Sequence, residues 1–527
     1  ERRAFELVDA AHARQRLRPE DSMDEMAQCQ EVERFVAELR GGAEFVPPAL
    51  RLAARAQHLE RNRISRSDFP DTREGHLEFR RASKVRHRRR LLELLEQAGV
   101  AEDVVHRACA LVAKELPASE DPDMQTLQDA SCLVFLRHDL MHETFHGCDE
   151  GKLTDMIQQT WRFMTPAAKV KAAAFEYSSR SLGCLLEGVA AAEGFEVTSS
   201  PLVAPRLPQA TIDILRASWA STRQEGFAAE FYNRLDAEEP SLRQAFDYPA
   251  LRGDNIYKVV DLLLQLLDSE SVPRLERIVH GLVALGSAFG RLQTAHLAPI
   301  KRALVRSVTA TVASKEKRIT NQAWEAFYYS LCAVAAPYLV NHDCLSEFVM
   351  ATASPLPVPD GSTHAGVVAA SGVAVLEMCL SVSAVSAGGT PAPAKVVERL
   401  IEAREWLSRA VTEEVNAFCG CVTSCIAITE EAEADAMSSA DRGRGGLASA
   451  EAAERRRWHR RAAEVPLNIA ELAMASATVC LPCRKQIKRS LQPDWIAGAK
   501  LLRTATEISL RSATLNWNGS GARGTGA

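Results

Sequence analysis

Residues 354–387 read S-P-L-P-V-P-D-G-S-T-H-A-G-V-V-A-A-S-G-V-A-V-L-E-M-C-L-S-V-S-A-V-S-A. Proline fixes φ and removes a backbone donor, so the three prolines mark a loop, and the run of small apolar residues after it reads as a long helix. Ala365 to Ala387 is long enough to cross a bilayer, but it carries Glu377 and many small side chains. That composition predicts a buried helix rather than a membrane span. The same three- and four-residue apolar spacing recurs in Leu91-Leu92-Leu94-Leu95, Val259-Val260-Leu262-Leu263-Leu264 and Leu400-Ile401-Leu407. Alternating runs bounded by turns are missing, so the expected class is all-α.

At 527 residues, 46% of them apolar, the chain exceeds what one hydrophobic core sustains and calls for several domains. A net charge of -5 leaves no basic surplus to hold a phosphate backbone, so no nucleic-acid partner is expected, and no membrane association either. Thirteen cysteines without a disulfide-framework spacing predict a reduced, cytoplasmic setting. The first residue is Glu1 rather than Met, so the N terminus is expected to be incomplete and no targeting segment can be assessed.

Punctuated stretches at 198–208 and 353–361 divide the chain. The expected organisation is a first module over 3–172, a linker over 173–206, a second module over 207–342 and a third over 345–517. An Ala/Glu/Ser/Arg/Gly-rich stretch at 430–454 reads as a flexible insert, and 518–527 as a disordered tail.

In the first module, A-A-R-A-Q-H-L-E-R (53–61), R-S-D-F-P (66–70), G-H-L-E-F-R (75–80), His87 and Q-T-L-Q-D-A-S-C-L-V-F-L (125–136) resemble domain-of-unknown-function family 4202. That family is distantly reminiscent of HD phosphohydrolases. The resemblance suggests a divalent metal on His58, His87 and Asp129, since neutral imidazoles and a carboxylate suit such an ion. Arg88 stands where an HD enzyme has its doublet aspartate. Arg63, Arg66, Arg73, Arg80 and Arg81 offer guanidinium forks to an anionic substrate. His138, His142 and His146 fall at four-residue steps, on one face of a helix if it continues.

The second module opens L-P-Q-A-T-I-D-I-L-R-A-S-W, continues F-Y-N-R-L-D-A-E-E-P-S-L-R-Q-A-F and N-I-Y-K-V, and ends around Ala323-Trp324. It resembles a globin over its full length. The likeness places Tyr232, Phe246, Asn255 and Val259 in a haem pocket, with Tyr232 and Asn255 suited to hydrogen-bond a distal ligand. The proximal position falls on Phe289, which cannot ligate iron. His280 and His296 lie before and beyond it.

The third module carries the 354–362 loop, Gly372 to Met378, A-V-T-E-E-V-N-A-F (410–418), A-E-V-P-L-N-I-A (463–470) and D-W-I-A-G-A-K-L-L-R-T-A (494–505). These resemble the cyclodeaminase domain of formiminotransferase-cyclodeaminase and the free-standing methenyltetrahydrofolate cyclohydrolases. The resemblance implies a helical homodimer acting on a formimino- or methenyl-tetrahydrofolate. Glu414, Asp494 and His364 are then candidates for proton transfer. Ser354, Gly361, Ser362, Arg484, Lys485 and Lys488 are candidates for binding the anionic folate. Asp360 departs from the glycine-rich form of the loop, in which bare backbone can approach a ligand. Cys480-Leu-Pro-Cys483, with Cys419, Cys421 and Cys425 elsewhere in the module, reads first as small residues packing helices, with a zinc site or a redox-active CxxC as the alternatives.

Three functions follow: folate one-carbon chemistry through the third module, ligand sensing or scaffolding through the second, and metal-dependent phosphate-ester hydrolysis through the first. The first of these is the leading expectation.

Overall fold

The computed structural model describes residues 1–13, 25–60, 63–138, 140, 148–194, 204–240, 242, 255–268, 271–288, 292–310, 312–354, 358–384, 393–427 and 445–519, leaving aside the side chains of 287–288, 445–449 and 518–519. Among the described residues there are twenty α-helices and no strand, the all-α class that the apolar spacing predicts. The chain divides into two units, Glu1–Gly194 with Tyr248–Asn255, and Phe195–Asp247 with Ile256–Ala527.

The first unit holds α1 (Arg2–His12), α2 (Glu25–Arg40), α3 (Pro48–Arg55), α4 (Arg73–Ala98), α5 (Glu102–Ala113), α6 (Pro122–Arg137), α7 (Glu150–Phe163), α8 (Pro166–Ala173) and α9 (Ser179–Ala192). Its helix starts are chemically marked. Thr72, Asp121, Asp149, Thr165 and Ser178 each accept a first-turn N–H, so donors without an intrahelical partner are satisfied. Leu50, Leu52, Leu91, Leu95, Trp161 and Tyr177 are buried in its core, each worth about 1.5–3 kcal/mol of apolar burial.

The second unit holds α10 (Gln209–Ala220), α11 (Phe227–Glu238), α12 (Asn255–Gln265, after its first residue), α13 (Val272–Ala288), α14 (Leu297–Thr309), α15 (Lys317–His342) and α16 (Leu345–Thr352). It continues with α17 (Gly361–Ala384), α18 (Ala394–Ile426), α19 (Gly445–Cys480) and α20 (Gln492–Gly519). Trp219 stacks on Tyr257 at 4.5 Å, and the fully buried Trp324 donates to Ser218 Oγ at 2.9 Å. Helix α15 packs on α10, α13 and α14 and, on another side, lies along α18. The segments read as second and third modules therefore share a helix-to-helix interface.

Helices α17 to α20 pack on one another around Ala365, Ala369, Val373, Leu376, Leu407, Ile469 and Leu502. Two stretches, Gly361–Ala384 and Ala450–Gln486, are long and apolar enough to cross a membrane, yet the residues of α17 just named lie in the bundle core. Helices α17 and α20 cross at paired glycines: a Cβ on Gly372 would lie 3.1 Å from the Gly498 carbonyl, and one on Gly498 equally close to the Gly372 carbonyl. Among the described residues two helices carry an interior proline, and each solves the same problem in the same way. Proline has no N–H, so the carbonyl four residues earlier loses its partner. For Pro337 that carbonyl is Ala333, which accepts from Asn416 Nδ2 at 2.6 Å. For Pro466 it is Ala462, which accepts from Asn516 Nδ2 at 2.7 Å.

Candidate functional site

Asp360 ends the proline loop and caps α17. Its Oδ1 accepts from the Thr363 N–H at 2.8 Å and the Thr363 hydroxyl at 2.7 Å. The residue that departs from the glycine-rich loop thus has a local reason to be there, since Asp is among the best helix N-caps. Its other oxygen, Oδ2, lies 2.7 Å from Ser362 Oγ, and Ser362 Oγ lies 2.5 Å from Glu414 Oε1 on α18. Ser362 and Glu414 are both 0% exposed, whereas Asp360 is half-buried.

A serine hydroxyl has one proton, so it cannot donate to two carboxylates at once. One of the two short contacts must be donated by a carboxyl group. Burial first, and the neighbouring Asp360 charge second, push the Glu414 carboxyl well above the usual range, against a smaller lowering from Ser362. The shared proton therefore belongs to Glu414. The chain runs Glu414 O–H to Ser362 Oγ, and Ser362 O–H to the Asp360 carboxylate, from a sealed interior to an accessible end. Glu414 Oε2 is buried without a hydrogen-bond partner among the described residues. Tyr328, Cys332 and Cys419, all buried close by, have their acidic groups pushed up mainly by burial and stay neutral, so the acid sits in a dry surround.

The other residues expected at this site are divided. His364 is one turn into α17, with Nδ1 on the Asp360 carbonyl (2.7 Å) and Nε2 on the Thr352 hydroxyl (3.0 Å). Both ring nitrogens are occupied in bracing α16 against α17. Gly361 is the first residue of α17, and Ser354 follows α16 with its N–H on the Ala351 carbonyl (3.0 Å). Asp494, Arg484, Lys485 and Lys488 are exposed at the opposite end of the bundle, where Lys488 N donates to Ser383 Oγ at 3.2 Å. There the Asp494 charge acts on Cys379, whose thiol is pushed up by burial and then by that charge. Cys379 lies seventeen positions along α17 from Ser362, roughly 25 Å at 1.5 Å per residue. One chain thus does not bring Glu414 and Asp494 together.

Sequence reasoning did not foresee a cavity of about 660 Å³ between α18 and α19. Arg399, Trp406 and Arg409 line one wall, and Asn468, Glu471 and Ser476 the other. Two guanidinium groups and an indole suit a flat, carboxylate-bearing ligand, and the volume falls in the range of small-molecule sites. Arg409 stands less than two turns before Glu414 on the same helix.

In the first unit, the His58 and His87 rings meet edge to face with centroids 6.2 Å apart. His58 has a left-handed φ of 57°, uncommon outside glycine. Asp129 is engaged elsewhere: Thr165 donates to it from N (3.1 Å) and Oγ1 (2.5 Å), and Gln125 Nε2 donates at 3.0 Å. The three ligand atoms are not gathered into one metal-sized cluster among the described residues. Arg66 holds the carbonyls of Phe69 (3.0 Å) and Pro70 (2.9 Å), and His138 pairs with Glu31 at 3.1 Å. His142 and His146 lie outside the described residues.

Of the residues read as a haem pocket, Phe246 and Phe289 also lie outside the described residues. Tyr232 and Val259 are buried, Tyr232 against the Phe231 ring at 5.1 Å. The Asn255 amide is taken up within the first unit, donating to the Phe175 carbonyl at 2.8 Å and accepting from the Tyr177 N–H at 3.4 Å. Burial lowers His280 to about 4, so its imidazole is neutral, and His296 Nδ1 accepts the Gln293 N–H at 3.1 Å in a local turn.

Cys480 and Cys483 are buried with their thiols pushed up by burial, Cys480 to about 12, as packing residues should be. Cys421, Cys425 and His459 are different, because their ligating atoms come within 4.8 Å of one another. The spacing of Cys421 and Cys425 is visible in the sequence. Nothing in it points to His459, which lies beyond the low-complexity insert.

Two family models match the chain. Residues 2–184 match one described as domain of unknown function (DUF4202), and residues 344–520 match formiminotransferase-cyclodeaminase. These support the first and third modules of the sequence reading. No curated protein and no solved structure matches.

Proposed function

We propose that the C-terminal segment carries cyclodeaminase-type chemistry on a folate one-carbon unit, closing a formimino-tetrahydrofolate to its methenyl form with release of ammonia. The observation that carries this reading is the chain of short contacts from Glu414 Oε1 through Ser362 Oγ to Asp360 Oδ2. In the reaction the aminobenzoyl nitrogen of the folate attacks the formimino carbon, a C–N bond to it forms, and the C–N bond to the departing ammonia breaks. The leaving nitrogen needs a proton in the transition state, and a carboxylic acid held neutral near pH 7 is suited to supply one. Glu414 is too deeply buried to meet a substrate itself. It passes its proton to Ser362 Oγ, whose own proton passes to Asp360 at the accessible end and from there to the leaving nitrogen; a proton from solvent then returns along the same path to Glu414.

The cavity between α18 and α19 supports this reading, with Arg399 and Arg409 offered to the glutamate carboxylates and the Trp406 face to the pterin ring, beside the two acidic lining residues Glu402 and Glu471. The test is a direct assay of the full chain with formimino-tetrahydrofolate, following the absorbance of the methenyl product. The expected result is turnover that falls about 100-fold or more in Glu414→Gln, which keeps a donor but has no proton to give. No turnover above buffer, or a Glu414→Gln rate equal to wild type, overturns the proposal.

A further inference from the structure

Near the C-terminal end of α18, Cys421 and Cys425 stand one turn apart, and His459 of α19 reaches between them. His459 Nδ1 is 3.4 Å from Cys421 Sγ, and Nε2 is 3.3 Å from Cys425 Sγ. Cys421 and His459 are buried, while Cys425 is exposed. Arg455, one turn before His459, bonds the Ser424 carbonyl at 3.2 Å and places its positive charge beside Cys425.

Two thiols and an imidazole suit either a soft metal ion or thiol chemistry, and the geometry separates the two. A metal ion takes one nitrogen of an imidazole, yet here the two sulfurs face opposite ring nitrogens. Arg455 would also repel a cation. The same features favour a thiolate: a neutral imidazole that accepts the Cys421 S–H at Nδ1 donates from Nε2 to the Cys425 sulfur.

We propose that Cys425 is a nucleophilic thiolate oxidised by hydroperoxides, with Cys421 as its resolving thiol and His459 as the proton carrier between them. The neighbouring Cys421 thiol first, and then His459 and the Arg455 charge, draw the Cys425 thiol below its usual value, against the opposing effect of burial. In the first step the Cys425 sulfur attacks the terminal peroxide oxygen. An S–O bond forms and the O–O bond breaks, its electron pair leaving on the alkoxide or hydroxide, which takes a proton from solvent. Sulfur is oxidised to a sulfenic acid and the peroxide is reduced to an alcohol or water.

In the second step Cys421 passes its proton to His459 Nδ1, and its sulfur attacks Cys425 Sγ. The S–S bond forms and the S–O bond breaks; the hydroxide leaves as water, taking a proton from His459 Nε2. Helix positions four apart have Cβ atoms about 5–6 Å apart, more than the about 3.5–4.5 Å a disulfide needs. Closure therefore requires the last turn of α18 to loosen. Cys425 lies in that turn, and loosening it would release the Ser424 carbonyl from Arg455 (3.2 Å) and the Ile426 carbonyl from Gln322 Nε2 (2.9 Å).

The experiment treats the full chain with limiting hydrogen peroxide or tert-butyl hydroperoxide and maps the thiols by mass spectrometry. Cys344, which is exposed and far along the chain, serves as the internal comparator. In wild type, Cys425 is expected to react at least about tenfold faster than Cys344 and to yield a Cys421–Cys425 disulfide that dithiothreitol reverses. In Cys421→Ser the product becomes a sulfenic acid at Cys425, trapped by dimedone. In His459→Gln, with folding checked by circular dichroism, the rate at Cys425 falls while that at Cys344 does not change. Equal rates at Cys425 and Cys344, a Cys425 sulfenic acid that Cys421 fails to resolve, or a tightly held zinc ion protecting both thiols would each overturn the proposal.

Discussion

Replacing Glu414 with glutamine separates a shared proton from an ordinary buried carboxylate, and the size of the effect can be worked from the structure. The reference value for this carboxyl is 4.5. In the folded chain burial and the Asp360 charge raise it, so above pH 4.5 the native state keeps a proton that the unfolded state has released. Folding then takes up a proton, and stability falls as pH rises, by about 1.4 kcal/mol per pH unit from this group. The contribution is fully present below about pH 4.5 and is lost progressively as pH climbs toward the folded value. Between pH 5 and pH 7 the loss is about 2.7 kcal/mol if the acid stays protonated throughout. Glu414→Gln keeps a donor toward Ser362 and has no proton to take up, so it lacks this slope.

Urea unfolding of both proteins, followed by tryptophan fluorescence at the two pH values, isolates the term, because other titrating groups cancel between them. The stability difference should move by about 2–3 kcal/mol in favour of the variant from pH 5 to pH 7. An unchanged difference would falsify the assignment, because Glu414 would then be ionised in the fold. Infrared spectra offer an independent check: wild type should show the carbonyl stretch of a protonated carboxylic acid that the variant lacks.

Other outcomes follow from the same structure. Asn516→Ala should cost about 1–3 kcal/mol by leaving the Ala462 carbonyl unpaired in the bundle. In the background of Pro466→Ala, which restores a backbone N–H to that carbonyl, the cost should largely vanish, and a double-mutant cycle by chemical denaturation reads it. Gly420→Ala would place a Cβ 2.1 Å from the Trp458 ring and should destabilise by about 1–3 kcal/mol or more in thermal melts, unless a smaller residue replaces Trp458. In the first unit, Glu31 is held down to about 2, chiefly by its hydrogen bond to Arg34. This stabilisation is present above about pH 4.5 and lost as pH falls toward 2, so Arg34→Ala should be less stable than wild type at pH 7, with the gap closing on acidification.

The helical class was legible because apolar spacing records which face of a helix must leave water, and that constraint acts locally. The long apolar run after the proline loop was legible as a buried helix for the same reason. Glu414 and Ser362 could be picked out one at a time through the cyclodeaminase resemblance. Their linkage could not, because a serine and a glutamate 52 positions apart show no periodicity that announces a shared proton. Asp360 read as a loss when set beside a glycine-rich loop; in place it is a helix cap and the outer end of the proton chain. Asp494 and the basic cluster read as partners of Glu414 because motifs in sequence carry no distance. Helix α17 separates them by most of its length. His459 drew no notice, since a lone histidine in an arginine-rich helix resembles any solvated residue until the fold sets it between two sulfurs.

By itself the sequence determined the all-α class, the proline and glycine punctuation, and the residues able to carry acid–base or thiol chemistry, because these depend on composition and near-neighbour spacing. The tertiary structure alone decided which of those residues meet. Packing of α18 against α17 and α19 brings groups tens of positions apart to within hydrogen-bond distance. Burial in that contact then sets which carboxyl keeps its proton, neighbouring groups set which thiol is made more acidic, and a linear pattern has no term for either effect.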